Sequence, residues 1–328
     1  MTAVRTPRRA LIWWASSALL ACTPALAQTS SYPSKPVRLV VPFAPGGPVD
    51  ALARALGAKL MAATGQQFVV ENRVGGGSII AWDAVAKSPA DGYTLLVAGV
   101  GSRTILPSVA TLPFDPAKDL VAVTRLAETA NIFVASPASG LKTLADLVAR
   151  AKANPGQINM ANPAPATVTH FAATLLQREA GISFTEVPYK GGAPATNALM
   201  AGEVDVMVAD IGAVMAQMQG GRALPLAVTT PKRWPMLPAV PTTTELGYAG
   251  VVSVNVYGLF APAGTPKAVV ERLGTLSAAA MQNKDLRDNL GKLGLMADTS
   301  SAEAFEAYLR EQTTKWAPLA KASGLRLN

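Results

Sequence analysis

Short runs rich in β-branched residues alternate with longer amphipathic stretches along this chain. The apolar run from Val37 to Phe43 precedes an amphipathic stretch from Val49 to Thr64, and another strand-like run follows at Gln67 to Glu71. This alternation is typical of β-α-β units, in which helices join parallel strands. The first run is apolar at nearly every position, as expected for a strand covered by helices on both faces. The sequence therefore predicts an open α/β fold.

The alternation occurs in two series, which predicts two lobes. The second series runs from about Asn131 to Thr229, and a proline-rich crossover then leads to a strand near Val254 to Phe260 and two final helices. We expect this last segment to pack back on the first lobe. The predicted boundaries are 28–126 plus 231–328 for a discontinuous first lobe and 127–230 for the second. Two or more crossing strands would then act as a hinge.

Residues 1–27 have the pattern of an export signal. Three arginines precede an apolar run from Ala10 to Ala21, and Ala25-Leu26-Ala27 matches a cleavage site. Because the run is shorter than the roughly 18 to 20 residues that span a bilayer, we predict cleavage after Ala27 and a soluble, periplasmic mature chain. The alternative is a lipoprotein box, Leu19-Leu20-Ala21-Cys22, with Cys22 as a lipidated first residue.

Charge and composition exclude several classes of protein. Removal of residues 1–27 lowers the formal net charge from +8 to +5. A mildly positive field suits anionic ligands, but Lys and Arg are not clustered as in nucleic-acid-binding proteins, so we expect no nucleic-acid partner. The single cysteine, Cys22, and the single histidine, His170, provide neither a disulfide nor a metal site. Common catalytic motifs are also missing from the sequence. We expect a protein that is not an enzyme, with no catalytic residues, no cofactor and no metal.

The turns between strands and helices form the candidate ligand site, because open α/β sheets bind ligands at the carboxyl ends of their strands. The first such turn and the helix after it contain Phe43, Ala44, Pro45, Gly46, Gly47 and Asp50. Glycines let a ligand approach the backbone closely, and N–H groups at the start of a helix favour an anion. Later turns contain Gly77 and the pair Ser102 and Arg103. The alternatives are ordinary tight turns and, for Arg103, a solvated side chain.

The second lobe has an equivalent turn, which contains Asn162, Ala166, Thr167 and His170. His170 falls in the first turn of the predicted helix, where it could contact a ligand or act as a structural hydrogen-bonding residue. Asp210 follows another predicted strand. It could accept a hydrogen bond from a ligand or from water, or it could cap the next helix.

Several separated sequence blocks together resemble one protein family, and the resemblance extends from about Tyr32 to Gly324. The blocks are Tyr32-Pro33-Ser34-Lys35-Pro36, Val41 to Gly47 with Asp50, Val70-Glu71-Asn72-Arg73, Ala90 to Leu96, Thr167 with His170, Val187 to Gly191, Gly202 to Asp205, Leu237 to Thr242 and Ala261 to Pro266. They resemble the substrate-binding receptors of tripartite tricarboxylate transporters, which are also named Bug receptors.

The resemblance implies a fold like that of type II periplasmic binding proteins, with two open α/β lobes that close over a small organic anion like a Venus flytrap. It also implies that the solute carries a carboxylate, is held by backbone amides and ordered water, and passes to a separate membrane permease. The implied contacts in this chain are Phe43 to Gly47, Gly77, Ser102, Asn162 to Thr167, Tyr189 and Asp210. We expect a monomer whose ligand is a di- or tricarboxylate, an amino acid or an aromatic acid.

The chain departs from the family at the turn before Thr167. The family usually has a Ser- and Gly-rich loop there, whereas this chain has Asn162-Pro163-Ala164-Pro165-Ala166. Proline has no N–H, so up to two donors to a carboxylate are lost. A ligand that is a more apolar or aromatic acid is one explanation for this departure.

Two alternative functions remain open. One is a co-receptor that presents its solute to a sensor protein, and the other is an enzyme with Asp210 or His170 as a general base near Ser102.

Overall fold

A computed structural model describes residues 2, 32–189 and 191–327. The chain divides into two units, Met1–Tyr32 and Pro33–Asn328, and the fold below is that of the second unit. The predicted signal peptide, its cleavage after Ala27 and the alternative lipidation of Cys22 fall outside the described residues, except for residue 2. Among the described residues, no helix has the length and apolar character needed to cross a membrane.

The described strands of the second unit form one mixed sheet. They are β1 (Val37–Val41), β2 (Phe68–Asn72), β3 (Thr94–Gly99), β4 (Leu120–Ala135), β5 (Asn159–Asn162), β6 (Thr185–Pro188), β7 (Val206–Asp210), β8 (Leu224–Val228), β9 (Val254–Pro262) and β10 (Met296–Ala297). The order along the sheet is β2-β1-β3-β9-β4-β7-β5-β6, and β8 and β10 also pair with β4. Strand β1 pairs parallel with β2 and β3, and β5 pairs parallel with β6 and β7, as expected for β-α-β units.

Strand β4 joins two halves of this sheet. Its first part, Leu120 to Ala130, pairs antiparallel with β9, and its last part, Asn131 to Ala135, pairs antiparallel with β7 and β8. The sequence predicted only the last part, from Ile132, as a strand. Arg125 and Glu128 interrupt the apolar pattern in the first part, where they form an ion pair with each other.

The two halves of the sheet are the two α/β lobes that the sequence predicted. β4 enters the second lobe and β9 follows the return of the chain to the first, so crossing strands join the lobes. The fold class, two open α/β lobes like those of periplasmic binding proteins, is confirmed. The residue boundaries at 126/127 and 230/231 stay a prediction.

Helices cover both faces of the sheet. They are α1 (Pro48–Thr64), α2 (Ile79–Ala86), α3 (Gly101–Thr104), α4 (Leu144–Ala153), α5 (Val168–Ala180), α6 (Gly192–Ala201), α7 (Ile211–Gln219), α8 (Lys267–Met281), α9 (Lys284–Lys292) and α10 (Ala302–Ala322). Successive side chains of β4 point to opposite faces. Ile132 therefore packs in one buried cluster with Leu199, and Phe133 packs in another with Leu147. Burial on both faces explains the apolar runs in the sequence.

Candidate ligand-binding cleft

The strand directions bring the predicted ligand-binding turns together. Strand β3 runs in the same direction as β4, since both pair antiparallel with β9, whereas β7 runs opposite to β4. The carboxyl ends of β1–β3 and of β5–β7 therefore point towards the middle of β4 from opposite sides. Gly99 at the end of β3 pairs with Tyr257, which pairs with Ala127, and Asp210 at the end of β7 pairs with Asn131. The turns after these six strands face one another across a space that we name the interlobe cleft.

The turn after β1 is exposed, and Asp50 fixes its shape. Gly46 has a left-handed φ of 88°, which favours glycine, and its N–H donates to the buried Asp50 carboxylate (3.0 Å). Asp50 also accepts from Arg54 and Asn72 (both 2.9 Å), and Asn72 donates to the Phe43 carbonyl oxygen. Burial raises the pKa of Asp50, but the hydrogen bonds from Arg54, Gly46 and Asn72 outweigh burial and lower the pKa to about 2. Both carboxylate oxygens of Asp50 are thus engaged in holding the turn.

Helix α1 begins directly after this turn with unused N–H groups. Gly47 precedes the helix, and Pro48, which has no N–H, is its first residue. The N–H groups of Gly47, Val49 and Asp50 have no acceptor among the described residues. Unpaired N–H groups and the helix dipole together favour an anion. The amino end of this 17-residue helix can therefore bind one.

The turn after β2 presents open backbone between two exposed apolar residues. Gly75, Gly76 and Gly77 all have positive φ, and a Cβ at Gly77 would meet nothing within 4 Å. Val74 is 59% exposed and Ile80 is 51% exposed. The predicted contact Gly77 is thus accessible, and its surroundings are apolar.

In the turn after β3, Ser102 and Arg103 lie in different environments. Ser102 is half-buried in the short helix α3, whereas Arg103 is buried and its Nη2 donates to Glu306 of α10 (2.5 Å). Burial lowers the pKa of Arg103 in spite of the Glu306 charge. Arg103 is therefore committed to α10, and the structure does not bring its guanidinium together with the other predicted contacts.

The turn after β5 is held by His170. Ala166 has a left-handed φ of 58°, which is a strained conformation for a residue with a Cβ. The Ala166 N–H donates to Nδ1 of His170 (3.2 Å), and Nε2 of His170 donates to Glu186 (2.9 Å). Because Nδ1 accepts, this geometry assigns a neutral imidazole with its proton on Nε2. Thr167 caps helix α5, since its Oγ1 accepts from the His170 N–H (3.3 Å).

Asn162 and Glu186 lie beneath this turn. Asn162 donates to Glu186 (3.0 Å), and burial raises the pKa of Glu186, but the hydrogen bonds from His170, Asn162 and Gln177 lower it overall. Oδ1 of Asn162 is buried without a hydrogen-bond partner in the described structure. Asn162, Thr169 and Glu186 line a cavity of about 10 Å³, which is close to the space that one water molecule needs.

The start of helix α5 also packs against the first lobe. A Cβ at Gly101 would lie 3.5 Å from Cγ2 of Val168. Ala166 and Val168 belong to a buried cluster that includes Ile105 and Leu319. In this structure the lobes are therefore in contact beside the cleft.

Asp210 lies at the centre of a partly buried polar cluster between the lobes. It accepts hydrogen bonds from Asn131 (2.7 Å), Tyr257 (2.8 Å) and Asn255 (3.1 and 3.3 Å), and we name these four residues the polar hinge cluster. Burial raises the pKa of Asp210, although the three donors oppose this effect. Asp210 ends β7, Asn131 belongs to β4, and Asn255 and Tyr257 belong to β9, so the cluster ties the second lobe to both crossing strands.

Five residues of the site were not predicted from the sequence as site residues: Asn131, Asn255, Tyr257, Glu186 and Asn72. The signal was a polar residue inside an apolar strand, as in Asn131-Ile132-Phe133-Val134. A buried amide needs a hydrogen-bond partner, so such a residue points to a polar contact. Tyr189 was predicted, and its N–H donates to the Asn162 carbonyl oxygen (2.8 Å), which joins the turns after β6 and β5.

Comparison with known proteins places this arrangement in a family. The sequence matches the tripartite tricarboxylate transporter family receptor model over residues 52–325. The protein BugT of Bordetella pertussis is 32% identical over 302 residues, which make up 90% of this chain and 92% of BugT.

Two solved structures share the fold along nearly their whole length. R. palustris Rpa4515, solved with adipate, is 33% identical with a TM-score of 0.84, and the match covers 90% of this chain and 99% of that one. MatC from Rhodopseudomonas palustris, solved with bound malate, is 29% identical with a TM-score of 0.81, and the match covers 88% of this chain and all of that one. Since the family model spans most of the sequence and BugT aligns along nine-tenths of it, this protein belongs to the tripartite tricarboxylate transporter receptor family, the Bug solute-binding receptors that its sequence blocks predicted.

Proposed function

We propose that this protein is a periplasmic receptor that captures a small carboxylate between its lobes and delivers it to the permease of a tripartite tricarboxylate-type transporter. The observation that carries the proposal is the amino end of helix α1, whose N–H groups are unused and lie behind an exposed glycine turn. The ligands solved with Rpa4515 and MatC, adipate and malate, are both carboxylates, which supports the same ligand chemistry here.

Backbone N–H groups, more than charged side chains, would bind the carboxylate. The cationic side chains in the described turns are Arg73 and Arg103, and they are paired with Glu71 and Glu306. A hydrogen bond to a charged group contributes about 1.5–3 kcal/mol, and a helix dipole adds about 0.3–1 kcal/mol at its amino end. A few such donors around Gly47 would therefore suffice to hold one carboxylate.

Capture would be coupled to movement of the lobes about β4 and β9. A ligand shifts this equilibrium only by its difference in affinity for the open and closed forms. A solute that binds at α1 and also contacts the second lobe has a higher affinity for the closed form, because only the closed form provides both sets of contacts. The closed, loaded receptor would then present one continuous surface to the permease.

Thermal unfolding with a panel of small acids tests ligand capture. An acid that binds only the folded protein stabilises it by about 2.7 kcal/mol at a hundredfold excess over Kd. Gly47→Val is the matching variant, because φ at Gly47 is −79° and a Cβ there would meet only the Ala44 carbonyl oxygen, at 3.8 Å. The fold should hold while the new side chain covers the N–H groups of α1.

Gly274→Ala in helix α8 is the control, and it should respond to the acid like the wild type. If no acid stabilises the wild type, or if Gly47→Val responds equally, capture at α1 is wrong. Native mass spectrometry of gently purified protein would show whether an acid is already bound.

Delivery and location need experiments in cells. Fractionation should place the processed full-length protein in the periplasm. Deletion of its gene should abolish uptake of the captured acid, and the wild-type gene, but not the Gly47→Val form, should restore uptake. Normal uptake in the deletion strain would contradict delivery to a permease.

A further inference from the structure

An apolar contact joins the two lobes beside the interlobe cleft. The second lobe contributes the turn after β5 and the start of helix α5, and the first lobe contributes the segment after β3 and the second half of helix α10. The buried side chains of this contact are each 7% exposed or less. We name the contact the interlobe latch, and its principal members are Ala166, Val168 and Phe171 of the second lobe and Ile105, Trp316 and Leu319 of the first.

Helix α10 belongs to the first lobe but reaches the second. Near its start, Phe305 packs on Phe260 of β9, with ring centroids 5.3 Å apart. Further along the helix, the ring centroid of Trp316 lies 6.4 Å from that of Phe171 in α5, which is within the range of about 4.5–7 Å for aromatic pairs. Because α5 moves with the second lobe, rotation of the lobes about β4 and β9 changes the distance between these two rings.

The latch stabilises the closed arrangement because it is apolar. Nε1 of Trp316 donates to Oε1 of Gln312 in the same helix (3.0 Å), so the indole packs against the second lobe without losing a hydrogen bond. In an open form, the apolar side chains of both lobes would face water. Burying them favours the closed form in proportion to the apolar area removed from water. Closure therefore has a driving force that does not come from the solute.

The latch also positions two predicted ligand contacts. Val168 directly follows Thr167 in the sequence, and Gly101 directly precedes Ser102. A Cβ at Gly101 would lie 3.5 Å from Cγ2 of Val168. The latch thus brings Ser102 of the first lobe and Thr167 of the second lobe to the same edge of the cleft.

Building on the proposed function, we propose that Phe171, Trp316 and Leu319 are positioning residues that close the two lobes even when no solute is bound. The closed form is then the major form of the ligand-free protein in solution. The solute enters through a minor open form and binds a cleft whose two sides are already in place. Loss of the latch lowers the closed fraction, and the apparent affinity for the solute falls by the same factor.

Small-angle X-ray scattering of the mature protein without solute tests this inference. The closed reference is the oxidised double variant Gly101→Cys/Val168→Cys, because the 3.5 Å contact lets the two sulfur atoms reach bonding distance. Cys22, the single cysteine of the chain, lies in the predicted signal peptide and would not compete. We expect the wild type to have the same radius of gyration as this cross-linked form. A larger radius of gyration of the wild type overturns the inference.

Latch variants show whether the contact holds the lobes together. Trp316→Ala and the smaller change Leu319→Ser should each increase the radius of gyration without solute while cooperative thermal unfolding is retained. Trp316→Phe keeps an apolar ring and should behave like the wild type. If Leu319→Ser folds and keeps the wild-type radius of gyration, the latch does not close the lobes and the inference is wrong.

Leu176→Ala is the control for these variants. Leu176 lies in the same helix as Phe171 but packs in the core of the second lobe. Its truncation should lower the free energy of unfolding without changing the radius of gyration, since it leaves the latch intact. An equal expansion of Leu176→Ala would show that any loss of stability expands the protein, and the latch would have no special role.

Titration with an acid that stabilises the wild type separates this inference from the proposed function. Leu319→Ser lies outside the turns of the cleft, yet it should bind the acid about fivefold or more weakly. At saturation it should contract to the radius of gyration of the cross-linked form. Unchanged affinity of Leu319→Ser overturns the inference and leaves the proposed function intact. If no acid binds the wild type, the proposed function fails, whereas scattering without solute still decides whether the latch closes the lobes.

Discussion

Nδ1 of His170 accepts a hydrogen bond from the N–H of Ala166, and Ala166 is a non-glycine residue held at a positive φ. Nε2 of the same ring donates to Glu186 on strand β6. One imidazole therefore anchors a strained turn residue to the sheet, in a turn whose two prolines fix φ on either side of Ala164. This geometry favours the structural interpretation of His170 over direct ligand contact.

Replacing His170 should therefore destabilise the turn and weaken ligand binding. In His170→Ala the buried Ala166 N–H loses its acceptor and Glu186 loses a donor, so we expect the free energy of unfolding to fall by about 2–3 kcal/mol. Ala166→Gly removes the left-handed strain and should stabilise His170→Ala more than it stabilises the wild type. Urea unfolding of the two single variants and the double variant measures this coupling.

His170→Asn is the conservative control for that cycle, because its side-chain oxygen can accept near the position of Nδ1. It should keep more ligand affinity than His170→Ala. If the two changes at positions 166 and 170 are simply additive, the imidazole does not hold the turn.

Acidic pH should lower the free energy of unfolding, because Asp50 then becomes protonated. Its folded pKa of about 2 is below the usual value of 3.8, so folding stabilises the ionised form. This contribution is complete above about pH 5 and is lost as the pH falls towards 2. The shift corresponds to about 2 kcal/mol at most, and solvent screening reduces it because the Arg54 side chain is 53% exposed.

Comparison with Asp50→Asn isolates this effect. We expect the wild type to be about 1–2 kcal/mol more stable than the variant near pH 7 and to keep only about a third of that advantage near pH 2.5. Denaturant unfolding at both pH values measures the difference. A difference that stays constant with pH would show that the Asp50 charge does not stabilise the turn.

The sequence allowed prediction of the α/β class, the two lobes and the position of the turns, because burial on both faces of a sheet leaves apolar runs that can be read directly. It did not predict the first part of β4, where ion-paired Arg125 and Glu128 break the pattern. Nor did it predict the ion pair of Arg103 with Glu306, which are 203 residues apart. A single sequence shows which side chains can ionise, but distant partners are known only once the chain is folded.

Tyr257→Phe should destabilise the hinge, and more so at neutral than at acidic pH. The variant removes the hydroxyl that donates to Asp210 (2.8 Å), which costs about 1.5–3 kcal/mol for a hydrogen bond to a charged group. Burial already raises the pKa of Asp210, and the loss of a donor raises it further. Ionised Asp210 is therefore more costly in the variant, whereas protonated Asp210 is less affected.

Chemical unfolding near pH 8 and near pH 4 measures this difference. Tyr248→Phe is a suitable control, because Tyr248 is partly buried in the second lobe and lies outside the polar hinge cluster. A larger loss of stability at acidic pH than at pH 8 would mean that Asp210 is not the partner through which the hydroxyl acts.

Gly212→Ala tests how closely the lobes are joined on the other side of the hinge. A Cβ at Gly212 in helix α7 would overlap the Leu293 carbonyl oxygen, which lies in the segment between α9 and β10. This segment is held by Thr129 of β4, which donates to the Gly294 carbonyl oxygen (2.9 Å). Overlap with backbone cannot be relieved by a rotamer change, so we expect the free energy of unfolding to fall by about 1–3 kcal/mol.

Gly274→Ala is the matched helical substitution, because a Cβ there meets only the Val123 carbonyl oxygen, at 3.7 Å. Alanine is the better helix former, so this variant should gain about 0.5–1 kcal/mol. If Gly212→Ala is as stable as the wild type, the lobes must move apart to accommodate the methyl group. Its ligand affinity should then fall, because separated lobes cannot both contact the solute.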